Sequence, residues 1–145
     1  MPGPALAGPF DQREREQRSD VLVYTSAPLT RALEVTGSVR AELWVSSSAQ
    51  PSDFAAQLVD VDPDGRALNL CDGIVRTHWL HPHTICSVRI GLRATSNVFK
   101  PGHRIRIDVS CSSYPHYAPG PSAAMQTIYH DPGHPSHVVL PVIPR

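Results

Sequence analysis

Histidines are the residues of this chain most able to bind a metal ion or move a proton, and six of the eight fall into two groups. The first group contains His78, His81 and His83, and the second contains His130, His134 and His137. A zinc ion binds two or three such imidazoles, often with a carboxylate such as that of Asp131. The spacings match no local metal motif, and Pro82, Pro132 and Pro135 indicate loops. We therefore interpret these histidines as polar loop residues at strand ends, hydrogen-bonded to backbone carbonyls, and expect no metal site.

A second candidate ion site is the run Asp60-x-Asp62-x-Asp64-Gly65, which is similar to the opening of a calcium-binding loop. Such a loop needs carboxylates at alternate positions, Gly at the sixth and a bidentate Glu at the twelfth. The twelfth position here is Cys71. Because Pro63 presets the first turn dihedral and Gly65 tolerates a positive one, the segment predicts a tight hairpin turn instead.

Nucleophilic catalysis would require an activated serine or cysteine. None of the nine glycines frames a serine as G-x-S-x-G, the motif that marks the nucleophile of α/β-hydrolases. Serine, histidine and aspartate all occur, so composition alone leaves a triad open, but no residue stands out as a nucleophile. The sequence predicts no catalytic residue and no cofactor in this chain.

Four aromatic residues could form a platform for a sugar ring: Trp44, Trp79, Tyr114 and Tyr117. Trp44 falls in the polar phase of its strand, so we expect its ring to be exposed or covered by a partner. An exposed tryptophan marks interfaces as readily as ligand sites. We favour an interface and a possible homodimer, and keep an independent carbohydrate-binding module as the alternative function.

The composition of these 145 residues argues against several classes of protein. Thirteen basic and thirteen acidic residues cancel, which argues against a nucleic-acid footprint or a polybasic membrane contact. No apolar run reaches 18 residues, so we expect no membrane span. The N-terminus lacks the pattern of a signal peptide. The three cysteines (Cys71, Cys86 and Cys111) are odd in number and read as buried thiols, so we predict a cytoplasmic protein.

Fifteen prolines and nine glycines are too many for a helical bundle and predict short strands joined by turns. Residues 1–19 are dominated by proline, glycine and charge, which is typical of a linker. From residue 20 onward apolar and polar residues alternate. The predicted strands cover 21–24, 39–45, 54–62, 66–79, 88–94, 105–111, 125–129 and 137–143, with a bend near Asp72-Gly73. About eight strands with one apolar face each predict an all-β fold, a jelly-roll β-sandwich over 20–145.

Several segments resemble one family, the C-terminal domain of X-Pro dipeptidyl-peptidases and cocaine-esterase-like acyl hydrolases. They are Val21–Leu29, Leu33–Arg40, Asp53–Arg66, Leu70–Ile74, Ser96–Arg104 and Thr127–Asp131 with His134–His137. The resemblance covers about residues 10 to 145, and the motifs occur in order with sensible spacing.

The resemblance implies a jelly roll similar to galactose-binding sandwiches that follows an α/β-hydrolase domain in the full enzymes. The triad of such enzymes lies in that upstream domain, so no position here inherits a catalytic role. Residues 1–19 would then be the connector from the hydrolase part, which this chain lacks. The resemblance also implies that the domain packs on the catalytic domain, helps wall its substrate pocket and takes part in dimer contacts. The expected family chemistry is hydrolysis of an ester, or of an amide after proline, through an acyl-enzyme.

Overall fold

The computed structural model describes residues 11–17, 21–48, 52–77, 81–110 and 126–144, without the side chains at positions 14 and 15. Within these ranges the chain is almost entirely strand, apart from one short helix. The elements are α1 (Arg13–Glu16), β1 (Val21–Thr25), β2 (Leu33–Ser47), β3 (Asp53–Val61), β4 (Ala67–Arg76), β5 (Cys86–Phe99), β6 (Arg104–Ser110), β7 (Gln126–Tyr129), β8 (His137–Val139) and β9 (Val142–Ile143). No helix in these ranges is long and apolar enough to span a lipid bilayer.

The strands form two antiparallel sheets. Sheet I has the order β1-β6-β3-β4, and sheet II has the order β5-β2, with β7, β8 and β9 pairing in turn along the other edge of β2. Most connections between consecutive strands cross from one sheet to the other, as in a jelly roll. The predicted all-β sandwich is confirmed, and the likeness to galactose-binding sandwiches stays a prediction.

The core lies between the inner faces of the two sheets. Along β2 the predicted inward set is confirmed, since Val39, Ala41, Leu43 and Val45 are all buried. Each sheet therefore buries one apolar face against the other, as the alternation of period two requires. The buried residues of this core are Val35, Val39, Ala41, Leu43, Val45, Phe54, Ala56, Leu58, Cys71, Val88, Ile90, Leu92, Phe99 and Val109.

Strands β2 and β5 are longer than predicted because a bulge lets them pair past a break in the alternation. Ser38 pairs with Ala94 and Val39 with Leu92, so Arg93 is the extra residue. In β4 the irregularity lies at Leu70, between the pairs of Leu58 and Val59, and not at the predicted bend near Asp72-Gly73.

The last predicted strand, 137–143, is two strands. Pro141 separates β8 from β9, since proline has no backbone N–H to donate to the ladder of β2. Its carbonyl still accepts a hydrogen bond from the backbone N–H of Thr36 (3.0 Å).

The hairpin turn between β3 and β4 is confirmed. Val61 pairs with Ala67, and the backbone N–H of Gly65 donates to the carbonyl of Asp62 at 2.9 Å. Gly65 has a φ of 92°, a conformation that glycine adopts without steric cost. The Asp62 carboxylate accepts hydrogen bonds from the backbone N–H groups of Asp64 and Arg66, both at 2.9 Å. The Asp62 carboxylate therefore stabilises the turn itself.

Residues 11–17, within the segment predicted as a linker, pack against the outer face of sheet I, and we call them the strap. Asp11 forms an isolated β-bridge with Leu68. The backbone N–H of Gln12 donates to the carbonyl of Ala67 at 2.6 Å. At the other end of the strap, Arg106 and Glu16 form an ion pair of 2.8 Å in which the Glu16 side chain is 6% exposed. These contacts hold the strap against sheet I.

Candidate functional site at the open side of the sandwich

One side of the sandwich is not closed by the two sheets. Leu22 pairs with Val109 and Tyr24 with Ile107, and directly paired residues share a face of the sheet. Val109 is buried in the core, so Leu22 and Tyr24 belong to the inner face of β1. They are nevertheless 44% and 37% exposed. The strands of sheet II therefore do not extend over β1, and we call this region the open side.

A cavity of about 410 Å³ opens at this side, between β1 and β6 of sheet I and β2, β7 and β8 of sheet II. Its walls are mostly aliphatic, with polar groups contributed by two histidines and a serine. At its rim the rings of Tyr24 and His130 meet edge to face, with centroids 5.8 Å apart. Burial raises the pKa of the Tyr24 phenol above its ordinary value. The lining residues are Tyr24, Leu43, Ile107, Val109, Ile128, His130, Ser136, His137 and Val138.

Of the histidines predicted to lie in loops, His134 and His137 have separate partners, and His137 begins strand β8. His134 Nδ1 lies 3.0 Å from Asp131 Oδ1. His137 Nδ1 lies 2.8 Å from the carbonyl of Pro135, and its Nε2 lies 2.6 Å from Glu42 Oε2. His81 and His83 are exposed, and His78 lies outside the described residues. In the described ranges, no three His, Cys, Asp or Glu side chains converge as ligands for one ion.

His137 and Glu42 bind each other, and the pKa of each is shifted from its ordinary value. The hydrogen bond to the Pro135 carbonyl, outweighing partial burial and helped by Glu42, raises the pKa of His137 above its ordinary value. For Glu42, burial acts to raise the pKa, but hydrogen bonds from His137 and Arg89 outweigh it and lower the pKa. The Arg89 guanidinium lies 2.9 Å from Glu42 Oε1. This network fixes His137 at the rim of the cavity.

Trp44 points outward, as its phase predicts, but it is half-buried and its cover comes from the same chain. His134 packs edge to face on the indole with ring centroids 5.3 Å apart. The backbone N–H of Trp44 also donates to Ser136 Oγ at 2.8 Å. His134 therefore covers part of the ring, and the predicted cover by a partner stays a prediction. Trp79, Tyr114 and Tyr117 lie outside the described residues, and the carbohydrate-binding alternative stays a prediction.

Asp60, the first residue of the calcium-like run, turns inward to a network that the sequence did not indicate. Its Oδ1 lies 2.7 Å from His103 Nδ1, and its Oδ2 accepts a hydrogen bond from Asn97 Nδ2 at 3.1 Å. The three residues come from β3, the turn before β6, and β5, so they join both sheets. Asp60 and Asp62 therefore face different partners.

A second feature that the sequence did not indicate is a cluster of buried polar residues at one end of the sandwich. Ser47 and Ser52 share a hydrogen bond of 2.5 Å, and Thr77 Oγ1 donates to the Ser52 carbonyl at 2.8 Å. Arg76 binds Asp53 with two hydrogen bonds, of 2.8 and 3.0 Å, and the Asp53 side chain is 1% exposed. Satisfied buried networks of this kind rigidify the loops around them. The run Ser46-Ser47-Ser48 is the one feature of the sequence that could have indicated this cluster.

The two cysteines within the described ranges are free thiols. Burial, helped by the nearby Asp72 charge, raises the pKa of the Cys71 thiol to about 12. A thiol with so high a pKa is a poor nucleophile at neutral pH, as expected of a structural core residue. Cys111 lies outside the described residues.

Comparisons with known proteins find similar sequences within larger hydrolases. The sequence profile of the family described as "X-Pro dipeptidyl-peptidase C-terminal non-catalytic domain" matches residues 3–139. Cocaine esterase from Rhodococcus sp. (strain MB1 Bresler) is 46% identical over 161 residues, covering 95% of this chain and 28% of that protein. A putative serine esterase of Mycobacterium bovis is 33% identical over 156 residues, covering 89% of this chain and 25% of that protein.

Two solved structures are also similar to this chain. An aminopeptidase from a marine sediment archaeon, Thaumarchaeota archaeon, superimposes with a TM-score of 0.88 at 28% identity, covering 94% of this chain and 28% of that one. An alpha-amino acid ester hydrolase superimposes with a TM-score of 0.87 at 28% identity, covering 93% of this chain and 27% of that one. The chain thus spans about a quarter of the length of the relatives it matches, with 28% and 25% coverage of the two esterases.

Proposed function

Because the chain belongs to the family of X-Pro dipeptidyl-peptidase C-terminal non-catalytic domains, we propose that it is an accessory domain of a serine acyl hydrolase. In this role it packs against a catalytic domain and helps form one wall of the substrate pocket. The nucleophile and its base belong to the catalytic domain, which cleaves an ester, or an amide after proline, through an acyl-enzyme. This chain contributes shape and stability.

The observation that carries this proposal is a core that both sheets share. Fourteen buried residues of the described ranges form one cluster, so this stretch folds around a core of its own. A domain with its own core that matches only a quarter of each relative fits a module added to a catalytic domain. The free thiols of Cys71 and Cys86 support our further proposal that the protein works in the reducing cytoplasm.

The proposal is tested with a chimera in which this chain replaces the matching segment of the Rhodococcus cocaine esterase. We expect the chimera to be soluble and to hydrolyse p-nitrophenyl acetate, because the two sequences are 46% identical over this segment. The matched control is the same esterase truncated before the segment, which we expect to lose most activity or to aggregate. A chimera no better than the truncated control would contradict the proposal.

The isolated chain provides the complementary measurement. We expect its rate with p-nitrophenyl acetate, or with an Xaa-Pro anilide, to equal that of a heat-denatured sample. A rate that survives purification and is abolished by a serine-directed phosphonate would place catalysis within this chain.

A further inference from the structure

We propose that the outer face of sheet II carries a binding site for a small aromatic carboxylate, held between a pair of arginines and an indole. The site is a half-open pocket of about 340 Å³, which we call the outer pocket. This inference goes beyond the proposed function and does not depend on it. The residues that line the outer pocket are Glu42, Trp44, Ser87, Val88, Arg89 and His137.

Strand pairing sets the order of these side chains across the sheet. Glu42 pairs with Arg89 of β5 and with His137 of β8, so the three form one row. Trp44 pairs with Ser87 and belongs to the next row. Directly paired residues share a face, and residues two apart on a strand lie ~7 Å from each other on that face. A charged row and an aromatic row therefore lie side by side.

The charged row carries a surplus of positive charge. Arg89 Nη2 lies 2.9 Å from Glu42 Oε1, and Arg40 Nε lies 3.4 Å from the same oxygen. The second oxygen, Oε2, lies 2.6 Å from His137 Nε2. Even when His137 is neutral, two guanidinium groups share one carboxylate. The surplus attracts an anion, and a guanidinium binds a carboxylate through two parallel N–H donors.

The two guanidinium groups are held in place and remain accessible. The side chains of Arg89 and Arg40 are 70% and 48% exposed. A guanidinium has five N–H donors, so each group keeps donors that Glu42 does not occupy. Ion pairs as exposed as these contribute little to stability. We therefore interpret the network as positioning the donors for a ligand, as a prepared binding site requires.

The aromatic row selects for a ring attached to the anion. The outer pocket reaches the indole of Trp44, on which His134 packs edge to face with ring centroids 5.3 Å apart. A ligand ring stacks favourably on such an indole. The Asp131 carboxylate lies beyond His134, with its Oδ1 3.0 Å from His134 Nδ1. Negative charge therefore lies beyond the aromatic row, so the carboxylate of the ligand points to the arginines and its ring to Trp44.

The test titrates the ¹⁵N-labelled full chain with 2-naphthoate and follows its amide and indole N–H resonances by NMR. The rings fit the outer pocket, since a cavity of ~150 Å³ already accepts benzene. We expect a Kd of about 1 mM, typical of a ligand of this size, with the largest shifts at Glu42, Trp44 and Arg89. 2-Naphthalenemethanol has the rings without the charge, and acetate has the charge without the rings. Each should bind about tenfold more weakly or worse.

Arg89→Gln is the decisive substitution, because the side chain is exposed and its replacement should leave folding intact. We expect it to raise the Kd for 2-naphthoate about tenfold. Arg89→Lys should raise the Kd less, since lysine keeps the charge but not the parallel donors. Arg93→Gln is the matched control, an exposed arginine of the same strand that does not line the outer pocket. It should leave the Kd within about twofold.

Three results would overturn the proposal. Equal affinity for the acid and the alcohol, or an Arg89→Gln variant that binds as the parent does, would mean binding without recognition of charge. Equal affinity for acetate would mean an anion site that does not recognise a ring. Shifts confined to Tyr24, Ile107 and Ile128 would place the ligand in the cavity of the open side.

Discussion

The two long sides of the sandwich are closed in opposite ways. On the side of β4 and β5 the sheets touch through their backbones, since a Cβ placed on Gly73 would lie 2.2 Å from the carbonyl oxygen of Gly91. On the side of β1 and β8 a cavity of about 410 Å³ separates the sheets. The first side is therefore closed because Gly73 has no side chain, and the second side stays open although its residues have large side chains.

This difference shows which side of the core is already covered within the domain. The closed side has no room for additional atoms, so it contributes to the stability of the isolated domain. The open side exposes apolar groups of the inner face, so the energy of covering them is available to another surface. Substitutions on the closed side should therefore lower the stability of the isolated domain more than matched substitutions on the open side.

The largest contrast between a substitution and its control is expected at the closed side. Gly73→Ala forces a methyl group against a backbone oxygen, and we expect the free energy of unfolding to fall by about 3 kcal/mol, at the upper end for overpacking. Gly91→Ala is the matched control, because a Cβ there meets nothing within 4 Å, and its effect should stay within ~0.5 kcal/mol. Urea unfolding of the isolated chain measures both. Equal effects would show that the two sheets do not touch at this point.

A smaller contrast is expected between two buried leucines. Leu58 is 0% exposed in the core, whereas Leu43 is 4% exposed and lines the open cavity. Leu58→Ala leaves a new void and should cost about 4 kcal/mol, while Leu43→Ala only enlarges an existing one and should cost about 2 kcal/mol. The same urea experiment compares them. If Leu43→Ala proved the more costly, the open side would be filled in solution.

The smallest effect concerns pH and the rim of the open side. Because the pKa of His137 is raised in the folded protein, its contribution to stability is complete below its unfolded pKa of about 6.5. That contribution is lost as pH rises through the raised value. The thermal midpoint of His137→Gln should therefore fall below that of the parent at pH 5.5 and match it at pH 8.5.

The difference between the two proteins is expected to be slight, since the His137 side chain is 51% exposed and solvent screens its ion pair. Exposed His81, replaced by Gln, serves as the control. A difference that is the same at both pH values would show that folding does not raise the pKa of His137.

The alternation of β2 and the turn at Asp62–Gly65 could be predicted because both depend on local rules. Residues two apart share a face of a strand, and proline and glycine set turn dihedrals. The bulge at Arg93 could not be predicted in this way, since the alternation of one strand does not reveal where its partner loses register.

The strap and the open side were beyond prediction for a related reason. Residues 11–17 look like a linker by composition, and only the position of Arg106 in the folded sheet gives Glu16 its partner. Likewise, the sequence predicts that Leu22 and Tyr24 are part of a compact apolar strand. That they remain uncovered depends on how far sheet II extends, which is a property of the assembled sandwich.

The pairing of the first strand with the sixth also sets an order of events during synthesis. Val21 pairs with Ser110, which is 110 − 21 = 89 residues later in the chain. At ~5–20 residues per second, a ribosome needs about 5 to 20 s to supply the partner of β1. Until then β1 lacks its partner strand, so its apolar residues stay uncovered while the rest of the sheet is being synthesised.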